Sequence, residues 1–167
     1  MLLAIDVGNT QTVLGIYDSD KLVHMWRVAT NVDHTSDELR IKLHTLMMAE
    51  GLEYSHIDGA ILASVVPALT HNWEKACCRS FDVETLVVSA ASAGHLINVD
   101  LEKFPELGAD RFADAVAAKN LYGDPVIVVD FGTATNIEII GKGGIFLGGI
   151  IAPGVESSMR SLFTRAA

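Results

Sequence analysis

The chain has 167 residues, and its 12 Lys and Arg side chains against 21 Asp and Glu side chains give a formal charge of −9 with neutral histidines. An acidic surface gains nothing from counterion release, which argues against general binding of nucleic acids or anionic membranes. The composition, 50% hydrophobic and 20% charged, is sufficient for a globular core and argues against disorder over most of the length.

The first ten residues, MLLAIDVGNT, lack the basic start of a signal peptide, and Asp6 interrupts their apolar run. We therefore expect a cytoplasmic protein. The most apolar stretch, 143–155, is shorter than the roughly 20 residues that a membrane helix needs, so we expect no membrane span. Cys77 and Cys78 are adjacent, and because a bridge between neighbours is strained, they are predicted to be reduced thiols.

Three short apolar runs open the chain, at residues 2–7, 13–17 and 22–28, with turn residues between them. This pattern predicts a meander of antiparallel strands. Helical spacing follows, carried by Leu39, Ile41, Leu43, Leu46 and Met47. Thr35 or Ser36 is the predicted cap of that helix, and Glu50-Gly51 its end.

The next segments alternate in type. Residues 57–65 resemble a buried strand, Pro67 opens a helix with Leu69, Trp73, Ala76 and Cys77 on one face, and residues 84–88 form another strand. Alternation of strand, helix and strand predicts an α/β sheet.

The stretch 89–105 is rich in small and turn residues and is interpreted mainly as loop. A helix is predicted over 109–122, ended by Gly123-Asp-Pro and followed by a strand at 126–130. The apolar residues expected on the core side of that helix are Phe112, Ala115, Val116 and Leu121.

The chain repeats itself at an offset of 124 residues. Ala4-Ile-Asp-Val-Gly-Asn-Thr matches Val128-Val-Asp-Phe-Gly-Thr-Ala, so Asp6 falls on Asp130 and Gly8 on Gly132. An apolar strand precedes each match and two short strands follow each, which indicates two related domains. We predict a first domain at 1–123 and an incomplete second one at 124–167, the latter ending in a helix over 155–166.

The segment from Asp6 to Thr10 follows a strand and permits two interpretations. Asp-x-Gly-Asn is ordinary hairpin-turn chemistry. Alternatively, glycine lets the backbone approach an anion, successive N–H groups form a concavity for phosphate, and the aspartate can hold Mg²⁺ directly or through water. The second copy at Asp130 favours phosphate binding, because two such turns predict a nucleotide cleft between duplicated domains.

The sequence resembles the superfamily of actin, sugar kinases and heat-shock ATPases, and more closely the type III pantothenate kinases. Four segments carry the resemblance: Ala4-Ile-Asp-Val-Gly-Asn-Thr, Pro105-Glu-Leu-Gly-Ala-Asp-Arg-Phe, Val129-Asp-Phe-Gly-Thr-Ala-Thr and Gly148-Gly-Ile-Ile-Ala-Pro-Gly. It implies an α/β fold of duplicated actin-like (ribonuclease H-like) ATPase domains, the second incomplete. It also implies ATP-dependent phosphorylation of the primary hydroxyl of pantothenate, the opening step of coenzyme A synthesis.

The resemblance also implies roles for single residues. Asp110 would be the general base, and the substrate site would comprise Gly108, Ala109, Asp110 and Arg111. Asp130 would bind a monovalent cation, potassium or ammonium, and Mg²⁺ would accompany the nucleotide near Asp6. The residues expected to contact ATP are Asp6, Val7, Gly8, Asn9, Thr10, Gln11, Thr12, Val13 and Thr133. The family's enzymes are homodimers, which predicts a homodimer here.

Three departures from the family pattern leave alternatives open. The tyrosine that usually precedes the Gly-Ala-Asp-Arg motif is absent, and Phe104 is the nearest replacement for its ring. Asn136-Ile-Glu138 stands where Thr-x-Asp is usual, and the family's chains continue well past residue 167. The alternatives are a non-catalytic relative acting in nucleotide-gated interaction or regulation, and a kinase for another small alcohol.

Overall fold

The computed structural model describes residues 1–100, 102–105 and 107–165. The chain divides into two compact units, Met1–Val88 and Ser89–Ala167. Glu106 of the segment 105–112 and Ala166 of the predicted last helix lie outside the described residues. The domain boundary predicted at 123/124 came from the internal repeat and stays a prediction.

The first unit is built on a five-stranded sheet with the order β3-β2-β1-β4-β5. β1 is antiparallel to β2 and β2 to β3, which confirms the predicted meander, whereas β4 lies parallel to both β1 and β5. The strands are β1 (Leu2–Val7), β2 (Gln11–Asp18), β3 (Lys21–Ala29), β4 (Gly59–Ser64) and β5 (Thr85–Val87).

The helices of this unit are α1 (Ser36–Ala49), α2 (Pro67–Phe81) and a short 3-10 helix, Tyr54–His56, between them. Thr35, not Ser36, caps α1, because its hydroxyl accepts from the Glu38 backbone while the Glu38 side chain accepts from the Thr35 backbone. α2 begins with Pro67, as predicted, where the missing N–H is not needed.

The core of the first unit comes from alternating strand residues and from one stripe on each helix. Leu3, Ile5 and Val7 of β1 are buried at every second position, as one covered sheet face requires. The helical stripes follow the predicted spacing except at Ile41, which is 66% exposed. Their buried members include Leu39, Leu43 and Met47 of α1 and Leu69, Trp73, Ala76 and Cys77 of α2.

The second unit is built on a three-stranded antiparallel sheet with the order β6-β7-β8. Its elements are α3 (Ala90–Ala93), α4 (Ala109–Tyr122), β6 (Val126–Phe131), β7 (Ala134–Gly141), β8 (Ile145–Pro153) and α5 (Val155–Arg165). The three strands repeat the meander of β1 to β3, so the sequence repeat is also a repeat of local structure.

The helix predicted over 109–122 has those bounds, but one predicted core residue was wrong. Leu121 is 74% exposed, whereas Ala118 is buried together with Phe112 and Ala115. A helix turns about 100° per residue, so nine residues bring the chain to the opposite side of the helix. Leu121 is nine residues after Phe112 and therefore faces away from the side on which Phe112 is buried.

The stretch 89–105, interpreted mainly as loop, contains the short helix α3 and an isolated parallel bridge between Asn98 and Ile145. The Asn98 backbone donates to the Gly144 carbonyl and accepts from the Phe146 N–H, at 2.9 and 2.8 Å. These bonds fix part of the stretch to β8. Over the described residues, no helix has the length and apolar character needed to cross a membrane.

Candidate active site

The first predicted phosphate turn joins β1 to β2 through residues 8–10. The Gly8 N–H donates to the Gln11 carbonyl at 3.0 Å, and a Cβ on Gly8 would lie 3.0 Å from that same oxygen. A side chain at residue 8 would therefore push the turn open. Thr30, directly after β3, fixes the turn from outside: its hydroxyl donates to the Gly8 carbonyl at 2.8 Å, and its N–H donates to the Thr10 carbonyl at 3.0 Å.

The residues predicted to contact ATP in this segment differ in exposure. Val7 is fully buried and Thr12 is 2% exposed, with the Thr12 hydroxyl 2.9 Å from that of Thr30. These two side chains stabilise the turn. Gly8 and Val13 are half-buried, and the exposed members of the set are Asp6, Asn9, Thr10 and Gln11.

The second predicted turn joins β6 to β7 through Gly132 and Thr133. The Gly132 N–H donates to the Ala134 carbonyl at 2.9 Å, and the Gly154 N–H donates to the Thr133 carbonyl at 3.2 Å. A Cβ on Gly154 would collide with the carbonyl oxygens of Gly132 and Thr133. The backbone of the second turn is thus supported by the glycine that follows β8.

The two turns share a plan but differ in length. Asp6 and Asp130 each occupy the last position but one of their strands. Asp6 pairs with Val13 in register, seven residues on, whereas Asp130 pairs with Asn136, six residues on. The second turn is therefore one residue shorter, so the match at an offset of 124 holds for β1 and β6 and shifts by one beyond the turn.

The Gly-Ala-Asp-Arg segment starts α4. Gly108 is extended and precedes the first helical residue, and Asp110 lies half-buried in the first turn. The Asp110 carboxylate accepts from the Arg111 N–H at 2.7 Å. An acidic side chain is favourable at this end of a helix, because the first N–H groups carry partial positive charge.

Arg111 reaches from α4 to β7. Its Nε donates to Oε1 of Glu138 at 2.6 Å, with the Arg111 side chain 15% exposed and the Glu138 side chain fully buried. Burial raises the pKa of Glu138, the Arg111 guanidinium acts in the opposite direction, and the nearby charges of Asp110 and Asp130 raise it further. Asp110, Asp130 and Arg111 therefore share one electrostatic environment centred on Glu138.

Phe104 lies on the same unit, against β8. Its ring packs edge-to-face on Phe146, with centroids 5.1 Å apart, and lies beside the Cα of Gly148. The Lys103 ammonium is 5.2 Å from the centre of the Phe104 ring. The suggestion that Phe104 replaces the family's tyrosine stays a prediction.

The carboxylate and other donor groups of the chain determine how it could hold a metal ion. Across the described part of the chain, no group of three or more His, Cys, Asp or Glu side chains is arranged to hold a metal ion. Asp6 and Asp130 each present one exposed carboxylate at a strand end. Mg²⁺ is usually held by one or two carboxylates together with water and substrate phosphates, so the exposed Asp6 carboxylate fits an ion that arrives with a nucleotide.

Three supporting residues of these sites were missed by sequence reasoning. Thr30 and Gly154 hold the two turns, and Glu138 holds Arg111. Two signals were available. Gly154 ends the segment Gly148-Gly-Ile-Ile-Ala-Pro-Gly, and Glu138 is a charged residue in the otherwise apolar half of β7, where a buried strand position needs a partner for a carboxylate.

Comparison with known proteins identifies the family of the chain. The family model described as type III pantothenate kinase matches residues 2–167. The chain belongs to the type III pantothenate kinase family. Curated type III pantothenate kinases similar to this family member include those of Rhodospirillum rubrum, 46% identical over 167 residues, and Geobacillus sp. strain WCH70, 43% identical over 167 residues. All of this chain is matched, but it spans only 65% and 64% of those two relatives.

Solved structures similar to this type III pantothenate kinase family member confirm the predicted fold class, an α/β fold of the actin-like and sugar-kinase type. The 2-dehydro-3-deoxygalactonokinase candidate from Sinorhizobium meliloti superimposes with a TM-score of 0.58, at 13% identity over 100% of this chain and 57% of its own. The Ppx/GppA phosphatase of Aquifex aeolicus gives a TM-score of 0.53, at 17% identity over 96% of this chain and 55% of its own.

Proposed function

We propose that the protein containing this chain transfers the γ-phosphoryl group of ATP to the primary hydroxyl of pantothenate, giving 4′-phosphopantothenate and ADP in the first step of coenzyme A synthesis. The family match over residues 2–167 carries this proposal. The Gly108-Ala-Asp-Arg111 segment at the start of α4, one of the segments that carry the resemblance, supports it.

Asp110 is the general base of the proposed reaction. Its carboxylate accepts the proton of the pantothenate hydroxyl, whose oxygen then forms a bond to the γ-phosphorus. The bond between the γ-phosphorus and the bridging oxygen breaks, and ADP leaves. Gly108, Ala109 and Arg111 line the pantothenate site, with Arg111 donating hydrogen bonds to a polar group of the substrate.

The two turns bind the ATP phosphates in this proposal. In the first turn, exposed side chains of Asp6, Asn9, Thr10 and Gln11 and the backbone of residues 7–13 contact the nucleotide, while Thr133 contacts phosphate in the second. Asp6 holds Mg²⁺ through the phosphates or water, and Asp130 holds potassium or ammonium. The bound cations offset phosphate charge.

The remaining predictions from the resemblance are part of the same proposal. We expect a cytoplasmic homodimer that binds neither nucleic acid nor membrane. The charge of −9 supports the last two points for nucleic acids and for anionic membranes, since both are polyanions.

The test is mass spectrometry of the protein as its gene encodes it, incubated with ATP, Mg²⁺, potassium and pantothenate. The parent is expected to form phosphopantothenate. Asp110→Asn is expected to lose at least about a hundredfold in rate with ATP affinity nearly unchanged, because it removes the base and leaves both turns in place. Asp114→Asn, one turn further along α4, is the matched control. An Asp110→Asn variant as fast as its parent would refute the assigned base.

A kinase acting on another small alcohol is the second candidate, and Phe104 favours it. The family's usual tyrosine is absent, and the nearest replacement, Phe104, is a phenyl ring without a hydroxyl. The altered segment 89–105 therefore leaves the substrate alcohol open. Profiling a set of small primary alcohols separates the two candidates: a better substrate than pantothenate would replace the first proposal and keep Asp110 as the base.

A further inference from the structure

The Arg111 guanidinium is in contact with two residues that the proposed mechanism does not use, one that bonds to it and one that leaves room for it. The first is Glu138, whose fully buried carboxylate accepts from Nε at 2.6 Å. The second is Gly149 of β8, the register partner of Glu138 across the strand pair. A Cβ on Gly149 would collide with Nη2 of Arg111 and with the Ile137 carbonyl oxygen, so a side chain at this position would displace the guanidinium or the neighbouring strand.

We infer that Glu138 and Gly149 are positioning residues for Arg111, fixing its guanidinium so that the Nη donors meet pantothenate. This inference rests on the proposed pantothenate kinase activity. The proposed substrate site was otherwise confined to the start of α4. The inference adds the buried carboxylate of Glu138 on β7 and the glycine at position 149 on β8 to the residues that support it.

The geometry supports positioning because it uses only part of the guanidinium. Arginine has five N–H donors in a rigid plane, and the contact with Glu138 uses the one on Nε. The four on the Nη atoms are not used by this contact. Since one fixed edge of a planar group fixes the other edge, Glu138 sets the direction of the Nη donors.

The energetics indicate which kinetic constant should change. An arginine that is already ordered loses little rotamer freedom when a substrate binds, so the positioning residues increase affinity for pantothenate. Pantothenate keeps these contacts in the ground state and in the transition state. The expected signature is therefore a change in KM for pantothenate with little change in kcat.

The burial of the Glu138 carboxylate and the length of its side chain also support the inference. Its Oε2 is buried and has no hydrogen-bond partner among the described residues. The Arg111 charge is thus the main compensation for a carboxylate that would otherwise be costly to bury. A shorter acid preserves the charge and withdraws the oxygens by one methylene, so Glu138→Asp separates the charge of this residue from its reach.

The test measures steady-state kinetics in the protein as its gene encodes it. Glu138→Gln is expected to raise KM for pantothenate about tenfold or more, with kcat and KM for ATP within about twofold of the parent. The KM for pantothenate of Glu138→Asp should lie between the values of the parent and of Glu138→Gln. Glu156→Gln is the matched control, because it removes the exposed glutamate of another pair, with Arg160, and should leave all constants unchanged.

A double-variant comparison decides whether Glu138 acts through Arg111. In an Arg111→Lys background, Glu138→Gln should raise KM for pantothenate less than about twofold further, since the group it positions is gone. Independent, multiplying effects would overturn the inference. So would a Glu138→Gln variant whose kcat and KM for ATP change as much as its KM for pantothenate.

An NMR measurement keeps this inference separate from the proposed function. The parent should show a slowly exchanging arginine Nε–H signal that disappears in Arg111→Lys and exchanges faster in Glu138→Gln. A protected signal in a parent that does not phosphorylate pantothenate would refute the proposed function while upholding the fixation of Arg111. A signal that exchanges freely in the parent would overturn the positioning role whatever the activity.

Discussion

Cys77 and Cys78 show how one helical step separates two identical side chains. Cys77 is buried in the core of the first unit, whereas Cys78 is exposed. Burial raises the pKa of the Cys77 thiol from its ordinary 9.0 to about 12. The sequence predicted two reduced thiols, but only packing decided which of them is available to reagents.

Alkylation near pH 8 should modify Cys78 and spare Cys77. With a pKa of about 12, the Cys77 thiolate fraction at that pH is about one in ten thousand. Peptide mass mapping measures the modification, and Cys78→Ser should abolish it. Because the folded-state pKa is raised, the stability contribution of Cys77 is complete below pH 9.0 and is lost as the pH rises towards 12. Equal modification of both thiols in the folded protein would contradict the assigned burial.

Gly154 and Gly132 also differ in what their surroundings tolerate. Gly154→Ala should lower the free energy of unfolding by about 1–3 kcal/mol, because its Cβ would collide with two carbonyls of the second turn. Gly132→Ala is the control in the same turn, since its Cβ would lie 3.5 Å from the nearest atom, an ordinary contact. Its effect should stay within about 0.5 kcal/mol. Denaturant titration measures both, and equal losses would contradict the described packing.

At the scale of elements, periodicity and end signals predicted most boundaries. The predicted helix over 109–122 matches α4, and Pro67 and Glu50-Gly51 mark helix ends as expected. Thr35 and Ser36 were both left open as the predicted cap, although Thr35-x-x-Glu38 fits the capping-box pattern and Ser36-x-x-Leu39 does not. The structure decides it through the backbone angles of Thr35, which are extended.

Thr35→Ala should lower the free energy of unfolding by about 1 kcal/mol near neutral pH, because it removes the cap of α1. Hydrogen bonds from the Thr35 backbone and hydroxyl lower the pKa of Glu38 below its ordinary 4.5. A lowered pKa stabilises the fold above the ordinary value, and this contribution is lost as the pH falls. The difference between variant and parent should therefore shrink in acid.

Thr45→Ala is the matched control for the loss of unfolding free energy expected in Thr35→Ala. Thr45 is exposed in the interior of α1, where its hydroxyl donates to the Ile41 carbonyl at 2.8 Å. Alanine is the better helix former, so no loss of stability is expected. A Thr45→Ala loss as large as that of Thr35→Ala would contradict the capping role.

At the scale of the whole molecule, one face of the second sheet exposes apolar residues. Ile127 and Val129 of β6 and Ile150 of β8 are 63%, 46% and 57% exposed. They align in register with Ile139 and Ile137 of β7, so the face is continuous across three strands. The opposite face carries Glu138. Exposed patches of this kind favour association.

Ile127→Lys should therefore reduce concentration-dependent association of the 167-residue chain, because it places a charge on the edge strand β6 of that apolar face. Ile41→Lys is the matched control, being 66% exposed on α1. Sedimentation equilibrium across a wide range of concentration measures the change. If Ile41→Lys lowers association as much as Ile127→Lys, the face is not responsible.

The sequence by itself determined the local structure and the family: the strand and helix periods, the repeat of Asp6 at Asp130, and the segments that match type III pantothenate kinases. These features consist of residues that are close together in the sequence or of short segments that repeat or match, so they can be read from the order of the amino acids alone. It also predicted the turns and the start of α4 as the places where chemistry is carried.

Only the tertiary structure decided which residues support those places. Arg111 meets Glu138 across 27 positions of sequence, and Thr30 meets Gly8 across 22. Such contacts depend on strand register and on how a helix packs on a sheet, so no local pattern specifies them. Packing likewise decided that Thr12 is buried, that Leu121 is exposed and that Gly154 lies too close to the carbonyls of the second turn to carry a side chain. Burial and close approach are properties of the packed chain.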